Sequence, residues 1–194
     1  MKRVLVLVVL LISFGFTKKP VNVKRMTVEI APESVLFVHG MTNVKGFKCE
    51  YKIDQLKSPI DIQYYHKNGK IKLNNTSLVL NNVSFDCGGK AINKDFVQLL
   101  KTDDYPQIKL TLKEIHEIQN KNGVNVLVDI EMAGKTNAYV IPVSIKNDGE
   151  LLISGDLDLG LNDFGIIPPT KFLGLVHVDD IVEIGFKLYL KEVR

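Results

Sequence analysis

Two cysteines and four histidines are the residues of this 194-residue chain whose types invite chemistry, together with the acidic pairs Asp103-Asp104 and Asp179-Asp180. A metal centre needs ligands that share a helix face or a tight loop. His39, His66, His116 and His177 lie far apart, and no Cys-x-x-Cys pairs with them. No metal and no cofactor is expected. Asp103-Asp104 precedes Tyr105-Pro106, and Asp179-Asp180 stands at the start of an apolar run. Both are places where turn-forming carboxylates belong. The chain has no Gly-x-Ser-x-Gly elbow, phosphate-binding glycine loop, His-Glu-x-x-His or dinucleotide glycine motif. No catalytic residue and no enzymatic activity is predicted. Cys49 and Cys87 remain. In an exported chain an even count reads as a disulfide, here closing a loop of about 38 residues and contributing ~4 kcal/mol in the chain-entropy account. Two buried free thiols are the other reading.

The premise of export rests on the amino terminus. Lys2-Arg3 followed by the apolar run 4–12 has the pattern of a signal peptide, and the run falls short of the roughly 20 residues that span a bilayer. Ser13 and Gly15 are small residues suited to a cut after Gly15, with a cut a few residues later as the alternative. The chain then divides into a signal peptide at 1–15, a flexible N-terminal segment at 16–27 and one domain at 28–194. The expected location is periplasmic or secreted. No integral membrane segment is read in the mature chain. The formal charge is +3, and losing Lys2 and Arg3 with the signal leaves about +1. Lysines are scattered singly along the chain, so nucleic acid is not an expected partner.

The elements that must position these residues are almost all strands. Val124, Val126, Val128, Ile130 and Met132 alternate with mostly polar neighbours. Tyr139, Ile141, Val143 and Ile145 repeat the pattern, and Val182, Ile184, Phe186, Leu188 and Leu190 close the chain with it. Period-two alternation repeated this often predicts strands with one wet and one dry face. Asn68-Gly69 predicts a two-residue hairpin turn. One helix interrupts the rhythm over 93–101, with Asn93 as N-cap and Phe96, Leu99 and Leu100 forming its apolar stripe. With a single helix, a barrel or a sandwich buries the dry faces most economically. The alternation does not separate a solid core from a ligand cavity.

Several strings, in order, resemble the YceI family. They are Ser34-Val35-Leu36-Phe37-Val38-His39, Asn43-Val44-Lys45-Gly46-Phe47, Asp104-Tyr105-Pro106-Gln107-Ile108, Met132-Ala133-Gly134-Lys135-Thr136, Asp163-Phe164-Gly165-Ile166 and Val178-Asp179-Asp180-Ile181-Val182. Phe85-Asp86-Cys87-Gly88 and Pro168-Pro169 resemble a divergent, Bacteroidetes-type branch. The resemblance implies an all-β, eight-stranded antiparallel lipocalin-like barrel with one short α-helix covering an end. It also implies an elongated apolar cavity that holds a long-chain lipid such as a polyisoprenoid or isoprenoid quinone. On that basis Val126, Val128, Ile130, Met132, Tyr139, Ile141, Val143, Phe186 and Leu188 are the expected cavity wall. Phe96, Leu99 and Leu100 are the expected lid. The alternative is a filled barrel serving as an envelope structural or protein-interaction module with no ligand.

Overall fold

The computed structural model describes residues 22–56, 59–117, 123–147, 149–171 and 175–193. The expected signal peptide, 1–15, lies outside them. In chain order the strands are β1 (Lys24–Ile30), β2 (Val35–Thr42), β3 (Gly46–Tyr51), β4 (Ile60–Lys67), β5 (Lys70–Asn81) and the short β6 (Phe85–Asp86). Helix α1 (Lys90–Leu99) follows, then β7 (Gln107–Glu117), β8 (Gly123–Met132), β9 (Lys135–Asn147), β10 (Leu151–Gly160), β11 (Thr170–Lys171) and β12 (Val176–Val193).

Eight of these strands close on themselves. The hydrogen-bonded order is β1-β4-β5-β7-β8-β9-β10-β12, and β12 returns to β1 through Ile30↔Leu190 and Thr27↔Val193. All the pairings are antiparallel, so the expected eight-stranded barrel is present. A closed ring leaves no free edge among its members, which removes the usual liability of an antiparallel sheet. The N-terminal chain lies along β12 in two pieces. β1 takes the carboxyl end of β12, and β2 takes its middle, from Lys187↔Val35 to Val182↔Gly40. The break between them falls at Pro32, which cannot donate to a ladder. Ala31 N–H donates to Tyr189 O (2.8 Å), and Tyr189 N–H donates to the Ser34 hydroxyl (3.0 Å), so the crossover keeps its partners. β3 and β6 then extend the wall beyond β2.

Three sequence expectations are corrected. Lys24–Thr27 lie in β1 rather than in a flexible segment ending at 27, so the domain starts earlier than 28. Their backbone is paired with β4 from Lys24↔Tyr64 to Val28↔Ile60, which a basic, weakly apolar stretch does not announce. Helix α1 starts at Lys90, with extended Gly89 as N-cap, and not at Asn93. Asn93 is employed differently: its Oδ1 accepts from Cys87 N–H (2.7 Å) and its Nδ2 donates to Asp86 Oδ1 (3.1 Å). The helix ends at Leu99. Lys101 takes a left-handed φ of 53°, Lys101 N–H donates to Gln98 O, and Thr102 N–H donates to Val97 O. These two bonds form a Schellman stop with lysine where glycine is usual.

The predicted hairpin turn is present, with φ of 52° at Asn68 and 73° at Gly69. The β8–β9 turn has the same signs at Ala133 (50°) and Gly134 (80°). Glycine is required at 134 for a second reason: a Cβ there would sit 2.5 Å from the Tyr105 ring.

Candidate functional site

The ladder registers assign every strand a face. Val126, Val128, Ile130 and Met132 on β8 oppose Ile141, Tyr139, Asn137 and Lys135 on β9, and Leu112 and Leu110 on β7. Val143 opposes Gly155, which opposes Phe186, and Ile153 opposes Leu188. The expected wall residues therefore all share the inward face. Val126, Val128, Ile130, Met132, Ile141, Val143 and Leu188 are buried, while Tyr139 and Phe186 are half-buried.

One end of the barrel is plugged. Phe96 and Leu100 of the α1 region are buried there, and Leu99 packs against the same cluster. The Phe96 ring lies 5.1 Å from Phe85, which meets Tyr51 edge-on at 5.0 Å. The Cys49–Cys87 disulfide joins β3 to the loop ahead of α1, so the bonded reading of the two cysteines is the one observed. The 3₁₀ turn Leu161–Phe164 adds Leu161, Phe164 and Ile166 to the plug. Lys101 Nζ ties the helix end to Gly165 O (3.2 Å).

The far end is different. Inward-facing Ile71, Ile115, Val124, Leu151 and Leu190 are only half-buried there, and Ile145 is 39% exposed. Inward Leu78, Leu110, Leu112, Leu157 and Ile184 also keep accessible surface at mid-height. A close-packed core leaves aliphatic side chains at such positions with almost none. Several polar groups on the inward face are engaged. The Thr76 hydroxyl bonds Asn74 O and Gln63 N at a bulge in β5. Asn137 Nδ2 donates to Asp163 O (2.9 Å), and Tyr139 Oη donates to Asp163 Oδ2 (2.7 Å). Between the ends, the mid-height surface facing the interior is mainly aliphatic and aromatic, suited to an apolar chain and unsuited to unpaired polar groups, while Asn82 Oδ1 is buried without a partner at the plugged end.

The wall also parts on one side. β9 and β10 pair only from Asn147↔Leu151 to Val143↔Gly155, then diverge. A cleft of about 580 Å³ lies at this point, lined by inward-facing Val143, Gly155 and Phe186 and by outward-facing Pro142, Ser144 and Asp156 among others. Further along, the gap is bridged by the two Asp163 bonds described above. Burial first, and then the Asp163 carboxylate, push the Tyr139 hydroxyl up to about 12. The raised value favours the protonated phenol in the folded chain. Its contribution to stability is intact below the ordinary tyrosine value near 10 and is lost as pH rises through about 12. A spectrophotometric titration should therefore show a tyrosine ionising near pH 12, and Tyr139→Phe should abolish that step. A curve unchanged by the substitution would contradict the Tyr139–Asp163 bond.

Sequence reasoning did not single out Asp163, Phe164 and Ile166 as parts of a plug, although the string containing them was noted. It also left Leu110 and Leu112 out of the wall, although their alternation was visible. Among the described residues no group of three or more His, Cys, Asp or Glu could hold a metal ion. No helix among them is long and apolar enough to cross a membrane.

A family model described as the YceI-like domain matches residues 34–190. Three similar solved structures are BcnA of Burkholderia cenocepacia, a polyisoprenoid-binding domain from Saccharophagus degradans implicated in plant cell wall breakdown, and a YceI protein of Campylobacter jejuni. BcnA is 20% identical with a TM-score of 0.61, covering 82% of this chain and 96% of its own. The Saccharophagus domain is 10% identical with a TM-score of 0.60, covering 87% and 99%. The Campylobacter protein is 13% identical with a TM-score of 0.51, covering 94% and 93%. At such identities the likeness is one of fold. No curated protein sequence matches the chain.

Proposed function

The chain belongs to the YceI-like family, and on that premise we propose that it is an exported, non-enzymatic carrier of a long-chain apolar lipid held inside the barrel. A polyisoprenoid or isoprenoid quinone is the proposed ligand class. The observation that carries this reading is the set Leu78, Leu110, Leu112, Leu157 and Ile184, which point inward by register yet remain only half-buried. The Saccharophagus degradans relative, described as polyisoprenoid-binding, points to the same class of ligand. Each methylene transferred from water to such a wall contributes roughly 0.8 kcal/mol. A chain of isoprene units therefore needs no polar contact to be held. The ligand enters at the end away from α1. The helix end is stapled by the disulfide and filled by aromatic side chains, so α1 acts as a fixed stopper there.

Gentle purification of the mature chain, organic extraction and mass spectrometry test this. A stoichiometric long-chain isoprenoid or quinone is the expected extract. Leu112→Trp, which adds bulk at an inward position that retains space, should lower occupancy several-fold with little loss of thermal stability. An empty protein that also refuses added lipid would overturn the carrier and leave the filled barrel as an envelope structural or protein-interaction module. So would a Leu112→Trp variant that unfolds readily while the parent shows no ligand.

A further inference from the structure

The lysines that look scattered in sequence are gathered by the fold on one side of the rim away from α1. Lys24 and Arg25 begin β1, opposite Tyr64 and Gln63 of β4. Lys67 faces Lys70 across the Asn68-Gly69 turn, and Tyr65 faces Lys72. Neighbouring strands lie about 4.8 Å apart, and Arg25, Lys67, Lys70 and Lys72 share the outward face, while Lys24, on the inward face with Tyr64, stands at the rim itself. Like charges placed directly opposite, as at Lys67 and Lys70, weaken a hairpin, so this arrangement is not one that stability alone favours. Glu114 on β7 offsets part of it. It is buried, with Lys70 Nζ at 2.7 Å and Lys72 and His116 also in contact. Among the described residues Lys24, Arg25 and Lys67 form no ion pair, and all three are exposed.

Two tyrosines, Tyr64 and Tyr65, are interleaved with these cations, and beside them lie the half-buried Met26, Ile62 and Ile71 of the open end. Basic residues mixed with tyrosine around apolar surface are the composition that settles at a lipid headgroup layer. Resting on the carrier reading, we propose that this edge, β1 with the β4–β5 hairpin, docks on an anionic lipid surface. Docking turns the open end of the barrel toward the bilayer, so that an apolar chain passes between them without crossing water. At the opposite end the exposed Lys90, Lys94 and Lys101 are offset by Asp86, Asp103 and Asp104, which gives the docked protein one orientation.

Flotation of the full mature chain with vesicles tests the proposal, using phosphatidylglycerol mixed equally with phosphatidylcholine against phosphatidylcholine alone. The chain should float with the anionic vesicles at low salt and be released at high salt. Each basic residue near such a surface contributes about fivefold, so Lys24→Gln/Arg25→Gln/Lys67→Gln should weaken binding on the order of a hundredfold. A control variant, Lys90→Gln/Lys94→Gln on α1, should bind as the parent does, with both variants shown to melt at the parental temperature. Failure of the parent to float, or an equal loss in the α1 variant, overturns the proposal. So does tighter, equally rim-dependent binding to a DNA oligonucleotide. Lipid-loaded protein that ignores vesicles overturns docking and spares the carrier. Rim-dependent flotation of a chain whose extracts are empty supports docking and removes the carrier.

Discussion

Replacing Phe164 by alanine is expected to lower the melting temperature by about 10 °C. Phe164 is 0% exposed and sits in the short turn Leu161–Phe164, stacked on Tyr139 with ring centroids 6.1 Å apart and planes 13° apart. Truncating a buried phenylalanine costs about 3–5 kcal/mol, because the lost transfer energy is joined by the cavity left behind. In a domain of this size each kcal/mol moves the midpoint by about 2–4 °C. Relaxation into the hole is restricted from three sides. Asn162 N–H is held by Asp180 Oδ1 (2.9 Å), Ile166 N–H by Leu161 O (3.1 Å), and Gly165 N–H by Asn162 O (2.9 Å). Ile167→Ala is the companion measurement. That side chain is 84% exposed, so its loss should shift stability by less than ~0.5 kcal/mol. Calorimetry giving equal, small shifts for both would mean that the turn does not belong to the core. Because Phe164 plugs the end away from the proposed ligand entrance, the variant should also keep its extractable lipid at temperatures well below its midpoint.

The same turn illustrates what a sequence carries and what it withholds. Alternation in 124–132, 139–145 and 182–190 was sufficient to place the inward faces, because a closed barrel buries the same face of every strand and period two is all that this requires. Asn68-Gly69 announced its turn because both of its residues must take positive φ. Irregularities were harder to read. Asn74-Asn75 looks like a break, yet β5 runs straight through it as a bulge, with Asn75 at φ 51° and the register to β7 shifting between Lys72 and Thr76. A side chain that can cap a helix can equally hold a neighbouring loop. Asn93 does the latter, one turn inside a helix that starts at Lys90, so its capping chemistry does not mark the helix start. The divergence of β9 from β10 leaves no mark at all, since both strands keep their alternation while their ladder ends at Gly155. The basic rim is likewise invisible along the chain: Arg25, Lys67 and Lys72 come to one face only through the β1–β4–β5 pairing.

Removing the disulfide, as Cys49→Ala/Cys87→Ala, should cost about 4 kcal/mol and lower the melting temperature by roughly 10 °C, with reductant producing a similar shift in the parent. The cross-link spans a sequence separation of 38. In the chain-entropy account that length alone sets the effect, which acts on the unfolded chain. The structure adds a local reason. β6 pairs with β3 through only two residue pairs, Glu50↔Asp86 and Tyr51↔Phe85. Two such pairs are too few to hold a strand by themselves. The disulfide fixes that junction, and Asn93 then clamps the chain between it and α1. Amide hydrogen exchange separates the two contributions. Exchange that quickens only in 85–101, while β8 and β9 keep their protection, places the bond's work in the folded cap. A uniform increase places it in the unfolded chain, and native-state labelling of both thiols in the untreated parent would mean that no bond forms at all.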